Sequence, residues 1–375
     1  MNVEQYISSI FSMAEKEDKE VGFKALALEA FEFQREHCPV YRNYLDLIGK
    51  GDLHPKELEE IPFLPIRLFK SCNILTDPLV KNPEPQSGSY PGTGIVFTSS
   101  ATTGMVPSHH IVADVGVYEK SFKEAFRMFY GESGTYNLLA LLPSYLERKG
   151  SSLIYMADRL IQDTRAKGAA GGFFLYDHQN LLDTITSLNV KDSDTSAPAS
   201  KTVLLGVSFA LLDFAEFVKA GIPDAKERKA IFSNVVVMET GGMKGRGQEL
   251  SREVLHSILS DAFCTPSIHS EYGMCELLSQ AYSTSGDGLF VSPPWMRALV
   301  RDLHDPFRVI DAQSKDCGYK ASGALNIIDL ANIHSCCFIE TEDRGTVCCT
   351  DNTLKFSVDG RISNAELRGC NMLIE

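Results

Sequence analysis

The chain has 375 residues, 44% of them hydrophobic and 23% charged, which is enough for one large or two moderate cores and is not the composition of a disordered polymer. Its formal charge of −13 argues against a nucleic-acid backbone or an anionic membrane as the main partner, because both are bound by clustered Lys and Arg that displace counterions. A phosphate ligand survives that exclusion, since backbone N–H groups and Mg²⁺ meet phosphates locally.

The first residues, MNVEQYISSIFSMAEKEDKE, hold no basic region followed by an apolar run, and no stretch of about 18 uninterrupted apolar residues occurs. The expectation is a cytoplasmic protein with no membrane span. The ten cysteines are expected to be free thiols in a chain of this size without a secretory signal. The adjacent pairs Cys336-Cys337 and Cys348-Cys349 lack the C-x₂-C spacing that turns two thiolates toward one zinc ion, so a metal cluster is not expected.

In chain order, residues 1 to 50 read as helical, with Phe23, Leu26, Leu28, Phe31 and Phe33 among charged residues. IPFLPIRLFK, carrying Pro62 and Pro65, reads as an extended connector. GIVFTSSATTGMVPSHHIV places a β-branched run before a Ser/Thr/Gly turn and a second extended run. YNLLALLP, SSLIYMA, KTVLLGVS, NVVVMETGG and GALNIIDLA then read as strands. SFKEAFRMFYG, SFALLDFAEFVKAG and LSREVLHSILSDAF read as helices between them. Strands separated by helix-length segments imply βαβ units, hence an α/β fold with a mainly parallel sheet flanked by helices. KDSDTSAPAS is expected to be a polar surface loop.

Five segments hold residues suited to chemistry. Ser99-Ser100-Ala101-Thr102-Thr103-Gly104 offers hydroxyls and backbone N–H groups to phosphate oxygens, although such a stretch alone is more often a plain turn. It is not a Walker A loop, because no Gly-Lys-Ser/Thr follows. Val235 to Lys244 reads as a buried strand ending in Gly241 and Gly242, which let a ligand approach the backbone at the carboxyl edge of a parallel sheet. A simple strand-to-helix turn would use the same glycines. In Ser270-Glu271-Tyr272-Gly273-Met274-Cys275-Glu276 the aromatic face can hold a purine and the later carboxylate can hold Mg²⁺. Glu340-Thr341-Glu342-Asp343-Arg344-Gly345 offers a carboxylate at a strand end for two ribose hydroxyls, or merely an acidic turn. Asp359-Gly360-Arg361-Ile362 offers a tight turn and a cation within reach of a phosphate. His109, His110 and His269 flank these segments and are expected to make structural hydrogen bonds.

Together these segments resemble the adenylate-forming superfamily of acyl-CoA synthetases, adenylation domains and luciferases. FTSSATTG is similar to its phosphate loop, YGMCE to its Tyr-Gly-x-Thr-Glu motif, TEDRG to its Thr-Gly-Asp ribose motif and VDGRISNAELRG to its Gly-Arg hinge. Within the superfamily the chain resembles most the LuxE-type acyl-protein synthetases, with phenylacetate-CoA ligases further away. IPFLPIRLFK, TGGMK, PPWMRALVRD and a serine at Ser108, where most relatives carry Lys, point there.

The resemblance implies a division into a helical region at 1–90 packed on the main domain, an ATP- and acyl-binding core at 91–358 and a hinge-like tail at 359–375, without the usual mobile C-terminal lid domain. It implies that Ser99, Ser100, Thr102, Thr103 and Gly104 hold the β- and γ-phosphates of ATP. Gly241 and Gly242 would lie along the adenine, with Tyr272 and Gly273 beside it. Glu276 would bind Mg²⁺, Asp343 the ribose, and Arg361 ribose or phosphate. Ala101 departs from the family's glycine and stiffens the loop. With the lid lysine missing, Lys244 is the candidate substitute cation.

The resemblance further implies that a cysteine near the C-terminus takes the acyl group, a place held by Cys370 after Arg368 and Gly369. The expected function is ATP-dependent activation of a carboxylic acid, a fatty acid above all, to an acyl-adenylate, then transfer to a protein cysteine feeding an acyl-CoA-reductase-like partner. The alternatives are an acyl- or aryl-CoA ligase and a degenerate nucleotide-binding subunit that regulates a reductase. A homodimer is the expected assembly, being the commonest among soluble oligomers.

Overall fold

The structure is a computed structural model that describes residues 1–15, 18–76, 94–99, 106–143, 150–193, 200–241, 250–310, 318–351 and 353–362. The chain opens with three helices, α1 (Val3–Phe11), α2 (Lys19–His37) and α3 (Pro39–Leu47). Each start has a local cause. Asn2 and Asp18 cap α1 and α2 with side-chain oxygens that accept from Gln5 N and Val21 N, and Pro39 begins α3 where no helical N–H is required. The IPFLPIRLFK connector becomes a two-residue strand, β1 (Leu64–Pro65), and a 3₁₀ turn over Ile66–Lys70.

Strands β2 (Ile95–Thr98) and β3 (His109–Val112) form the expected pair of extended runs, joined antiparallel in a small sheet of their own. After α4 (Val115–Tyr130) the chain alternates: β4 (Tyr136–Leu141), α5 (Ser152–Ala166), β5 (Gly171–Phe173), α6 (His178–Ser193), β6 (Lys201–Val207), α7 (Ser208–Gly221), α8 (Ala225–Ile231), β7 (Val235–Thr240), α9 (Arg252–Phe263) and β8 (His269–Tyr272). The remainder is strand: β9 (Ala281–Ser283), β10 (Phe290–Val291), β11 (Met296–Arg301), β12 (Val309–Ile310), β13 (Lys320–Asp329), β14 (Phe338–Thr350) and β15 (Thr353–Arg361).

SSLIYMA, expected as a strand, is the first half of α5. Ser151 caps it by accepting from Ile154 N, and Ile154, Ala157, Leu160, Ile161 and Thr164 are buried at helical spacing. A window of seven residues ends before that period can show.

The main sheet has the order β12-β11-β13-β14-β15-β10-β9-β8-β7-β6-β4-β5, with β1 joined to β14 off this path. Its helix-alternating part, β5-β4-β6-β7-β8, is parallel. From β8 to β12 every pairing is antiparallel. The parallel pairing expected for most of the sheet is therefore confined to one part, because the described residues of 281–361 form strands with no α-helix between them. The acidic segment at 340–345 lies inside the long β14 rather than at a strand end, and Asp359-Gly360-Arg361 closes β15 rather than forming an isolated turn.

One apolar cluster runs from Tyr6 and Ile10 through the parallel strands to Phe356. The N-terminal helices are also tied to the sheet by polar contacts. Gln34 is fully buried in α2; its amide nitrogen donates to Asn332 O and Ile333 O, both 3.0 Å away, and its oxygen accepts from Cys337 N at 2.9 Å. Arg297 pairs with Glu20 at 2.8 Å and lies 4.2 Å from the centre of the Phe23 ring. Among the described residues no helix is long and apolar enough to cross a membrane.

Gln34→Leu keeps roughly the volume but takes the amide away from the Cys337 N–H and the Ile333 carbonyl, and from the Asn332 carbonyl, which still accepts from Ser335 N. Urea unfolding is expected to show a loss of about 2–4 kcal/mol; a change below about 0.5 kcal/mol would remove Gln34 as the tie between α2 and the sheet.

Candidate functional site

Tyr272 is the last residue of β8, where the parallel part of the sheet meets the antiparallel part. In doubly wound sheets ligands bind at the carboxyl ends of parallel strands, and Thr240, paired with Glu271 at the ends of β7 and β8, marks that edge. Gly241 follows with φ +67°, a left-handed turn that glycine adopts without Cβ strain. Its carbonyl accepts from Ser208 Oγ at 2.7 Å. Thr240 Oγ1 donates to the buried Glu271 carboxylate. Gly273 leaves room for that carboxylate, since a Cβ there would lie 2.5 Å from Glu271 Oε1.

Tyr272 packs edge-on against Phe356, 5.3 Å between ring centres, and donates its hydroxyl to Asp343 Oδ2 at 2.9 Å. Asp343 faces Arg361 across β14 and β15, with Nε 3.8 Å from Oδ1. The Arg361 side chain is 81% exposed, so its guanidinium remains open to an incoming anion. Burial pushes Asp343 up, while the Tyr272 hydroxyl and Arg361 pull it down. Each carboxylate oxygen retains a lone pair beyond these contacts, the capacity needed to accept ligand hydroxyls.

β14 is held in place beneath Asp343 by a bulge. The β13/β14 register shifts between Ala324 and Asn326, and the Leu325 carbonyl accepts from both Arg301 Nη1 at 2.9 Å and Thr341 Oγ1 at 2.6 Å. Arg301 also donates to Thr341 O, and Asp343 N donates to Thr341 Oγ1 at 3.2 Å.

Glu276 is buried and lies near enough to Arg361 and Asp343 for their charges to act on it. Burial pushes its carboxyl up; a hydrogen bond from the Ser108 hydroxyl and one from its own N–H pull it down. Ser108 ties Glu276 to the hairpin: Ser99 N donates to Ser108 O at 3.0 Å and Ser108 N donates to Ser99 Oγ at 2.8 Å. The pair extends the β2–β3 ladder by one step and closes the base of the Ser/Thr/Gly loop. Among the described residues no group of three or more His, Cys, Asp or Glu is placed to hold a metal ion.

The structure thus brings Ser99, Gly241, Tyr272, Gly273, Glu276, Asp343 and Arg361 to one edge of the sheet. Ser100, Thr102, Thr103, Gly104, Gly242, Lys244 and Cys370 lie outside the described residues. His109 pairs with Asn73, and His269 with the Tyr130 hydroxyl.

His110 makes the structural hydrogen bond expected of it, and two further positioning groups, Asn332 and Asp329, carried no signal in the motifs. His110 Nδ1 is 2.9 Å from Cys275 O, Asn332 Nδ2 donates to Glu276 O at 2.9 Å, and Asp329 accepts from Leu278 N and Ser279 N. They come from β3, the 3₁₀ turn after β13 and the end of β13, and no spacing in the chain signals their convergence on residues 275–279.

No protein-family model matches the chain, and comparison with curated proteins finds no match.

Burial pushes His110 from the ordinary 6.5 down to about 4, outweighing the raising effect of its bond to Cys275 O; nearby His109 lowers it further. A depressed imidazole is neutral in the fold, so its contribution is fully present above pH 6.5 and is lost as pH falls toward about 4, when the unfolded chain takes up the proton. Unfolding free energy should fall across this window by an amount on the order of 3 kcal/mol from this group. His110→Gln should flatten the fall by that amount; an unchanged slope would remove His110 as its source.

Proposed function

We propose that this chain is an ATP-dependent acid-activating enzyme that forms an acyl-adenylate and transfers the acyl group to a cysteine thiol, Cys370 in this reading. The observation that carries it is the convergence of the Tyr272–Asp343–Arg361 chain and of Glu276, bonded to the phosphate-loop hairpin through Ser108, at the carboxyl edge of the parallel strands. The reading assigns the Tyr272 ring and the Gly241 turn to the base, Asp343 to the ribose, and Arg361, Glu276 and Ser99 to the phosphates.

Asp343 would accept the ribose hydroxyls while its second oxygen stays paired to Tyr272, which fixes the carboxylate plane. Arg361 would meet charge at the ribose or α-phosphate. Glu276 and the phosphate oxygens would share the Mg²⁺ that enters with ATP, and the ion would neutralise charge on the departing pyrophosphate. A carboxylate oxygen of the acid attacks the α-phosphorus and the bond to the pyrophosphate breaks. The cysteine thiolate then attacks the acyl carbon and AMP leaves with the carboxylate oxygen. A fatty acid is the proposed substrate, and an acyl-CoA-reductase-like protein the proposed recipient.

Acid-dependent pyrophosphate exchange tests the first step. With a series of fatty acids, wild-type protein should exchange label into ATP; Glu276→Gln and Asp343→Ala should each lower the rate by ~10²-fold or more. Absence of exchange with every acid, despite bound ATP, would reject acid activation.

The second step is read by labelled acid retained as a hydroxylamine-sensitive thioester. Cys370→Ala should abolish retention and leave exchange intact. Full labelling of the variant, or AMP release that requires CoA and not Cys370, would replace the protein acceptor with CoA.

A further inference from the structure

His110 and Asn332 each have one end bonded to the backbone of residues 275–276 and the other end without a partner among the described residues, and Ser335, three residues after Asn332, has an unpartnered hydroxyl. His110 Nδ1 lies 2.9 Å from Cys275 O. A carbonyl only accepts, so Nδ1 carries the proton; the ring is neutral, and Nε2 presents a bare lone pair. Asn332 Nδ2 donates to Glu276 O at 2.9 Å, which fixes the amide and leaves Oδ1 as an acceptor at its other end. Ser335 lies beyond them, with a hydroxyl that can donate and accept.

His110, Asn332 and Ser335 are 1%, 0% and 2% exposed. Their Nε2, Oδ1 and Oγ atoms have no hydrogen-bond partner among the described residues. All three residues line one small pocket, whose walls also include Val112, Leu278 and Ala331 and the partly buried Asp114 and His334.

A pocket lined by three such residues carries a strong requirement, because each unpaired buried polar atom costs about 1–3 kcal/mol. Its volume of about 10 Å³ corresponds to one water-sized occupant. The three unpartnered atoms are matched by the same molecule: two acceptors and one hydroxyl are filled by a ligand that donates twice and accepts once, while Asp114 is engaged with Gly116 N. Water does this. A hard cation is a poor match, since it asks for six or more oxygen ligands.

We propose that His110 Nε2, Asn332 Oδ1 and Ser335 Oγ form a binding site for one internal water molecule, which locks together the two side chains that hold the Cys275 and Glu276 carbonyls. The water donates to His110 and Asn332 and accepts from Ser335. It joins β3, which leaves the hairpin, to the turn after β13, so that the hairpin and the Glu276 backbone share one anchor. The positioning of Glu276 for a nucleotide rests on the function proposed above; the water site does not.

A crystal structure of the full chain at a resolution that shows ordered solvent tests the site directly. One peak is expected at hydrogen-bond distance, ~2.7–3.2 Å, from all three atoms. Direct pairing of Ser335 Oγ with His110 Nε2 or Asn332 Oδ1, or the absence of a peak with the three side chains in place, would overturn it.

Two variants give an independent reading by thermal unfolding. Ser335→Ala removes one of three bonds to the water and should lower Tm slightly. Ser335→Val fills the space, expels the water and strands both acceptors, so Tm should drop further, by about 2 °C or more. A Ser335→Val protein as stable as wild type would mean the space is dry. Both readouts need no ATP, so they stand apart from the outcome of pyrophosphate exchange.

Discussion

The segment from Met274 to Gln280 makes no regular ladder, yet it carries Glu276 and lies between β8 and β9. Asp329 holds it. This carboxylate is fully buried and accepts from Leu278 N at 2.7 Å, Ser279 N at 3.0 Å, Ser279 Oγ at 2.6 Å and Ala331 N at 3.2 Å. Burial pushes its pKa up to about 6, against the downward pull of those four donors. A buried carboxylate is tolerated at that cost only where its lone pairs are filled. Four donors from two chain segments fill them, and in doing so they fix where the candidate site can form.

Arg301 plays the corresponding part for β14. It is 6% exposed and spends its donors on Leu325 O, Asn326 Oδ1 and Thr341 O, with Glu340 at 3.5 Å. The bulge in β14, where residues 341–343 stand opposite Leu325 of β13, leaves the Leu325 carbonyl to Arg301 and Thr341 in place of an unbroken ladder. A local irregularity, a buried cation and the placement of Asp343 are therefore one arrangement rather than three.

Much of the fold was legible because its signals are local. Helical spacing marks α4, α7 and α9, with the capping residues Asp114 and Ser251 before the first and last of them, and the continuous apolar runs of β4, β6 and β7 mark strands buried on both faces. SSLIYMA misled because seven apolar-rich residues fit strand and buried helix equally, and the cap at Ser151 was decisive. The antiparallel half was harder to see, since residues 281–361 alternate little and their pairing depends on contacts distant in the chain. For the site, Tyr272, Asp343, Glu276 and Arg361 stood out by type and order. Asn332 and Asp329 did not, and the partner of His110 was not visible, because a buried side chain that holds another segment's backbone leaves no periodic trace at its own position.

Between its two wide halves the main sheet narrows to β9 and β10, which are joined by the single pair Val291 and Tyr282, with two further pairs from β10 to β15. Tyr272, Phe290 and Phe356 cover this waist with contacting rings, and the Tyr272 hydroxyl crosses it to reach Asp343. Few ladder bonds hold the sheet there, so cohesion across the waist rests on these rings and on the Tyr272–Asp343 bond. Any molecule that touched both Tyr272 and Asp343 would bridge the waist and add its binding free energy to that cohesion.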